Sequence, residues 1–102
     1  MEQLQFINLK MLDLNDNKRI VAEKTYRIND DYDKRHKIAY FVDLSESNII
    51  HDYANVDTSI HQVRLLMQVT YMIENEGGEL VDTETEYRNY HYTNELGYLV
   101  ED

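Results

Sequence analysis

Three carboxylates recur at every second position in the C-terminal third of the chain: Asp82, Glu84 and Glu86. On a β-strand such residues share one face and lie about 6.8 Å apart. We refer to these three residues as the acidic row. A nucleic-acid backbone is also a regular array of negative charge, so a protein groove lined with Lys and Arg would attract this row.

Further candidates for partner contact flank the acidic row on both sides. Three more acids lead into it around Gly77-Gly78, and tyrosines follow it. Tyrosine supplies rigid contact area at low entropic cost and is enriched in interfaces. The predicted partner-binding residues are Glu74, Glu76, Glu79, Asp82, Glu84, Glu86, Tyr87, Tyr90 and Tyr92.

The charge of the chain is distributed unevenly. The 102 residues carry 10 basic and 20 acidic side chains, a net charge of −10. The first 40 residues have a net charge of +1, whereas residues 41–102 have 13 acids and 2 bases. Free nucleic acid and anionic membranes are therefore poor partners, because binding them requires a basic surface.

The same acids have a simpler interpretation as a solvated, solubilising face of a strand. Net negative charge keeps small proteins soluble, and strands with one wet face are common. A surface selected only for solubility usually mixes charges of both signs, however, and here Arg88 is the single base among nine acids in residues 71–102. Both interpretations remain open from sequence.

Residues that could support catalysis or metal binding do not form recognisable patterns. The chain has no cysteine, which excludes thiolate metal sites, disulfides and cysteine nucleophiles. The four histidines follow no zinc-ligand spacing, and the three serines lie in no nucleophile motif. With 20 acids, pairs of carboxylates arise by chance and identify no acid–base couple. We expect no enzymatic activity, no cofactor and no metal site.

Alternating apolar residues predict strands before residue 45. Residues 3–14 and 19–28 read as a hairpin around the turn 15–18, with a phase change within residues 3–14 that indicates a bulge. Residues 29–35 read as a polar loop. Residues 36–44 read as a third strand, with Ile38, Tyr40, Val42 and Leu44 on one face. Residues 45–56 fit a short helix or a loop equally well.

The predicted main helix spans about residues 59–75. Ser59 and Gln62 have capping-box spacing, and Gly77-Gly78 offers a left-handed stop. Apolar residues would cover most sides of this helix, which is typical of burial on more than one side. Two or three strands follow, in residues 79–92 and 96–101. The sequence thus predicts a single domain, residues 1–102, of class α+β. It would have an antiparallel sheet of about five strands, three before the helix and two or three after it.

In size, charge layout and absence of cysteine, the whole chain resembles the small acidic inhibitor proteins of phages and mobile elements. These include DNA mimics of the anti-CRISPR and antirestriction type. The resemblance rests on no motif, so it carries over no individual residue. It implies a protein-binding inhibitor that occupies the basic groove of a nucleic-acid-binding protein, such as a nuclease.

Two other functions are compatible with the sequence. One is a structural or assembly module that forms a homodimer through the 59–75 helix. The other is a small-ligand binder, for which no pocket is marked in the sequence. No basic segment followed by an apolar run is visible near Met1, and no stretch predicts a membrane span. We therefore expect the cytoplasm as location, which is the host cytoplasm if the protein is phage-encoded.

Overall fold

The computed structural model describes residues 3–102. Its regular elements are β1 (Leu4–Asp13), β2 (Arg19–Ile28), α1 (Asp31–Asp52), β3 (Val63–Glu74), β4 (Leu80–Tyr92) and β5 (Val100–Glu101). The strands form one antiparallel sheet in the order β2-β1-β3-β4-β5. The predicted α+β class, with five antiparallel strands and one main helix, is confirmed. Two strands precede the helix and three follow it, rather than three before.

The N-terminal hairpin forms where the sequence predicts it. β1 pairs with β2, and the register shifts between Met11 and Leu12, at the predicted bulge. The connection contains a short 3-10 helix, Leu14–Asp16, followed by Asn17 and Lys18. These two residues have φ angles of 54° and 61°, in the left-handed region that Asn tolerates better than most residues.

The helix lies in residues 31–52, where the sequence reading placed a polar loop and a third strand. Its buried residues follow helical spacing: Ile38, Phe41, Ser45 and Ile49. The Asp30 side chain caps the N-terminus by accepting a hydrogen bond of 2.7 Å from the Asp33 backbone N–H. The prediction of a strand over residues 36–44 is therefore wrong. The ambiguous segment 45–56 is helical as far as Asp52.

The predicted helix at 59–75 is also wrong, because residues 63–74 form the central strand β3. Alternate residues of β3 are buried from Val63 to Val69, as expected for a strand with one face in the core. The supposed cap is a local turn in which Asp57 Oδ1 accepts from the Ser59 backbone N–H at 2.9 Å. Gly78, with a φ of 77°, lies in the turn between β3 and β4 and does not end a helix.

This correction removes the surface proposed for a self-associating helix. β3 is paired along both edges, with β1 on one side and β4 on the other. Leu65, on the supposed interface, is 0% exposed and belongs to the core. The core lies between α1 and the sheet face formed by residues such as Ile7, Leu9 and Met67.

A buried carboxylate ties the C-terminal end of α1 to the sheet. Asp13 is 0% exposed and accepts hydrogen bonds from the Tyr53 hydroxyl and from the Asn15 backbone N–H. Arg19 lies 3.4 Å from the same carboxylate and also pairs with Asp52 at 3.1 Å. A buried charge is tolerated only when it is paired and hydrogen-bonded, and here both conditions hold.

Tyr53→Phe is expected to lower the free energy of unfolding by about 1–3 kcal/mol at neutral pH, because Asp13 then loses a donor. Partial burial and the hydrogen bond to Asp13 raise the pKa of Tyr53 above its usual value of 10. A raised folded-state pKa stabilises the fold below pH 10, and this stabilisation is lost as the pH rises further. Urea denaturation between pH 7 and about 11 should show a shallower alkaline decline for Tyr53→Phe than for the wild type.

The matched control is Tyr32→Phe, because Tyr32 is 65% exposed. It should change neither the stability at neutral pH nor the alkaline decline. Equal alkaline profiles for Tyr53→Phe and the wild type would contradict the assigned role of the Tyr53 hydroxyl.

Candidate interaction surface

The β3–β4 hairpin carries most of the sequence-predicted contact residues. Its turn is held by Asn75, whose side-chain oxygen accepts from the backbone N–H groups of Gly77 and Glu79, both at 3.0 Å. The Asn75 backbone N–H also donates to the Glu79 carbonyl at 3.0 Å. One asparagine side chain therefore organises the reversal that brings the acidic row alongside β3.

The acidic row lies on one face of β4, as the spacing predicts. Asp82, Glu84 and Glu86 are opposite Ile73, Tyr71 and Val69 of β3, respectively. Val69 is 0% exposed and faces the core, so the row lies on the same face of the sheet that α1 covers elsewhere.

The cover provided by α1 does not reach the end of this hairpin. The buried positions of β3 end at Val69, and those of β4 begin only at Tyr90. The first turns of α1 extend as far as Tyr71, whose ring centroid is 4.2 Å from the Lys34 ammonium. Residues 76–85 are all exposed. Asp82 and Glu84 therefore project into solvent from a hairpin end that the core does not bury.

The three carboxylates of the row differ in how far they are neutralised. Glu86 accepts from Arg88 Nη2 at 3.0 Å and from the Tyr71 hydroxyl at 3.3 Å. Within residues 3–102, Asp82 and Glu84 have no ion pair. The uncompensated negative charge of the row is thus concentrated at Asp82 and Glu84.

The acids that precede the row are spread around the turn rather than aligned with it. A register shift between Ile73 and Glu74 interrupts the ladder, and Glu74 is half-buried beside Leu4. Glu76 lines the same cavity of about 240 Å³ as Glu74. Glu79 is exposed at the end of the turn. Together these acids extend the negative potential around the hairpin end without lengthening the row.

The predicted tyrosines separate into different environments. Tyr90 and Tyr92 are 7% and 3% exposed and pack in the core, so they offer little contact area to a partner. Tyr87 is 59% exposed but lies on the sheet face opposite the acidic row, across from Gln68. Sequence alone did not reveal this division, because it depends on which face α1 covers.

Two features of the surface were missed in the sequence. Leu80 and Val81, beside the row, are 56% and 51% exposed, which adds apolar area to the hairpin end. Three basic side chains, Lys34, Arg35 and Arg88, line a cavity of about 320 Å³ between α1 and β4, together with Asp31 and Ile38. The bases of α1 therefore stand beside the acidic row, near Glu86 and, because Lys34 lies over Tyr71, near Glu84 as well.

Neither a metal-holding cluster nor a membrane-spanning helix is found among residues 3–102. Across residues 3–102, no group of three or more His, Asp or Glu side chains is placed to hold a metal ion. In the same range, no helix combines the length and apolar character needed to cross a bilayer. Comparison with family models, with curated proteins and with solved structures gives no match.

Proposed function

We propose that this protein is a non-enzymatic inhibitor that binds the basic nucleic-acid groove of another protein through the end of its β3–β4 hairpin. The observation that carries this proposal is the exposure of Asp82 and Glu84 on one strand face, with no ion pair among residues 3–102. The partner would be a nucleic-acid-binding protein, such as a nuclease, in the cytoplasm.

The shape of the acidic surface supports this function. Carboxylates on alternate residues of a strand are spaced by about 6.8 Å, and the strand carries them on a projecting hairpin. A groove built from Lys and Arg to hold phosphates would contact such a row without rearrangement of its own charges. Opposite charge on the two partners would accelerate association, and the exposed Leu80 and Val81 would add desolvated contact area.

A purely solubilising role explains less of the structure. A solubilising coat needs charge spread over the surface, whereas the row concentrates uncompensated charge at one end of the molecule. The nearest bases, on α1 and at Arg88, stand beside Glu84 and Glu86 and away from Asp82. This polarity would orient the protein as it approaches a basic partner.

The experiment that tests the function is capture followed by competition. The wild type and the Asp82→Lys/Glu84→Lys variant are immobilised separately, exposed to a bacterial lysate and eluted with salt up to about 1 M, where the Debye length is about 3 Å. We expect a nucleic-acid-binding protein on the wild type only. In a fluorescence-anisotropy assay, the wild type should then displace labelled duplex DNA from that protein competitively.

Two results would overturn the proposal. One is recovery of the same proteins on the wild type and on the variant. The other is a captured protein whose affinity for DNA is unchanged at saturating concentrations of the inhibitor.

A further inference from the structure

Strand β4 has a free edge over most of its length. β5 pairs only with Tyr90 and His91, and the Asp102 backbone N–H donates to the Asn89 carbonyl at 2.9 Å. From Leu80 to Arg88, β4 has β3 as its one paired neighbour among residues 3–102. Such an edge presents unpaired backbone N–H and C=O groups to any incoming strand.

The backbone groups on this free edge can be identified from the ladder. In an antiparallel sheet, the N–H and C=O of one residue point to the same side, and successive residues alternate. The Asn89 carbonyl accepts from the Asp102 backbone N–H, just after β5, and therefore points away from β3. The β3–β4 register is unbroken between Thr83 and Tyr92. The residues that present both backbone groups to the open edge are therefore Thr83, Thr85 and Tyr87.

The side chains beside this edge favour a basic occupant. A strand added here would place alternate side chains next to Glu84 and Glu86, on the face of the acidic row. Its other side chains would lie beside Thr83, Thr85 and Tyr87. Opposite charges across adjacent strands stabilise the pairing, whereas like charges destabilise it. A second copy of β4 would bring Glu84 and Glu86 against further carboxylates, so self-pairing is disfavoured.

We propose that the free edge of β4 binds an extended segment of a partner protein that carries Lys or Arg at every second position and adds as a sixth, antiparallel strand. This inference rests on the proposed function for the class of partner. Strand addition is a separate claim from the inhibitor function. A basic groove could hold the acidic row through side chains alone, so the function can be right even where strand addition is wrong.

Synthetic peptides test this mode directly. The parent peptide alternates Thr and Lys over seven residues, Thr-Lys-Thr-Lys-Thr-Lys-Thr. One N-methylated twin carries methyl groups on the backbone nitrogens of the two inner threonines. When the parent pairs antiparallel with β4 and its lysines lie beside Glu84 and Glu86, these threonine N–H groups face β4, so methylation removes them from the ladder. The other twin carries methyl groups on the backbone nitrogens of two lysines. In the parent, the backbone N–H groups of these lysines face away from β4. All three peptides have the same charge.

We expect the lysine-methylated twin to bind like the parent and the threonine-methylated twin to bind at least tenfold more weakly in an NMR titration. Amide exchange at Thr83, Thr85 and Tyr87 should slow at least tenfold with the parent peptide. Equal binding of both twins, no binding of the parent, or a dimer in sedimentation experiments that the parent peptide dissociates would overturn the proposal.

A protein variant provides an independent arm. Thr85→Pro removes a backbone N–H that points away from β3, so the β3–β4 ladder should survive. Thr85→Ala is its matched control, because both variants lose the side-chain contact of 3.3 Å with Thr70. We expect Thr85→Pro to bind the parent peptide at least tenfold more weakly than Thr85→Ala. If Thr85→Pro fails to fold, the comparison of the two methylated peptides still tests strand addition.

Failure of this inference can be distinguished from failure of the proposed function. If Thr85→Pro folds and displaces DNA from the captured partner as well as Thr85→Ala does, strand addition is wrong and the inhibitor function stands. If neither variant nor the wild type displaces DNA, the proposed function fails.

Discussion

Phe41→Ala is expected to lower the free energy of unfolding by about 3–5 kcal/mol, the usual cost of removing a buried phenylalanine ring. Phe41 is 0% exposed and lies on the α1 face that also buries Ile38 and Ile49. Its removal leaves a cavity between the helix and the sheet, which the backbone of a regular helix closes poorly. Urea denaturation followed by circular dichroism measures the difference directly.

Tyr40→Ala is the decisive companion variant. Tyr40 is 59% exposed on α1, so its truncation should cost less than about 1 kcal/mol. On a strand over residues 36–44, Tyr40 would share the buried face with Ile38, and Phe41 would face solvent. If residues 36–44 are helical, Phe41→Ala should be the less stable variant. If they form a strand, Tyr40→Ala should be the less stable one. A greater loss for Tyr40→Ala than for Phe41→Ala would contradict the position of α1.

The N-terminal hairpin was predictable because its signals are local. The alternation in residues 19–28 and the Asn-Asp-Asn turn before it are complete within ten residues on either side. Strand β4 was predictable for a similar reason, since its Thr and Tyr residues favour extended structure. The shared face of Asp82, Glu84 and Glu86 followed from strand geometry alone and needed no knowledge of the rest of the fold.

The helix and the central strand were exchanged because their periodicities are ambiguous. The run Ile38 to Val42 is apolar throughout and fits either period. β3 has neighbours on both edges and apolar residues on both faces, such as Leu65 on one and Leu66 on the other. A strand of this kind lacks clear alternation and resembles a helix buried on several sides. Gly77-Gly78 does follow the end of a regular element, as predicted, but that element is strand β3 and not a helix.

The environments of the tyrosines could not be predicted from sequence. Tyr87, Tyr90 and Tyr92 all lie on one strand, and their parity separates Tyr87 from the other two. Whether a given face is buried depends on the position of α1, which is distant in sequence. Once the helix is placed over the face of Val63 and Leu65, Tyr90 and Tyr92 must be core residues.

The Asp82→Lys/Glu84→Lys double variant is expected to lose at least about 100-fold in affinity for the captured partner, equivalent to about 2.7 kcal/mol. These two carboxylates carry the uncompensated charge of the row. Glu86 is a poorer choice, because its removal would also free Arg88 and the Tyr71 hydroxyl. Much of the loss should appear in the association rate and diminish as salt is raised, because electrostatic steering is screened.

The matched control for this prediction is Asp43→Lys/Glu95→Lys, which changes net charge by the same amount at exposed positions outside the β3–β4 hairpin. Surface plasmon resonance at two salt concentrations should show near-wild-type affinity for the control and weak binding for the Asp82/Glu84 variant. Equal losses for both double variants would mean that overall charge governs binding, and the row would then be a solubilising coat. A selective loss assigns recognition to the hairpin end, because position is the variable that separates the two proteins.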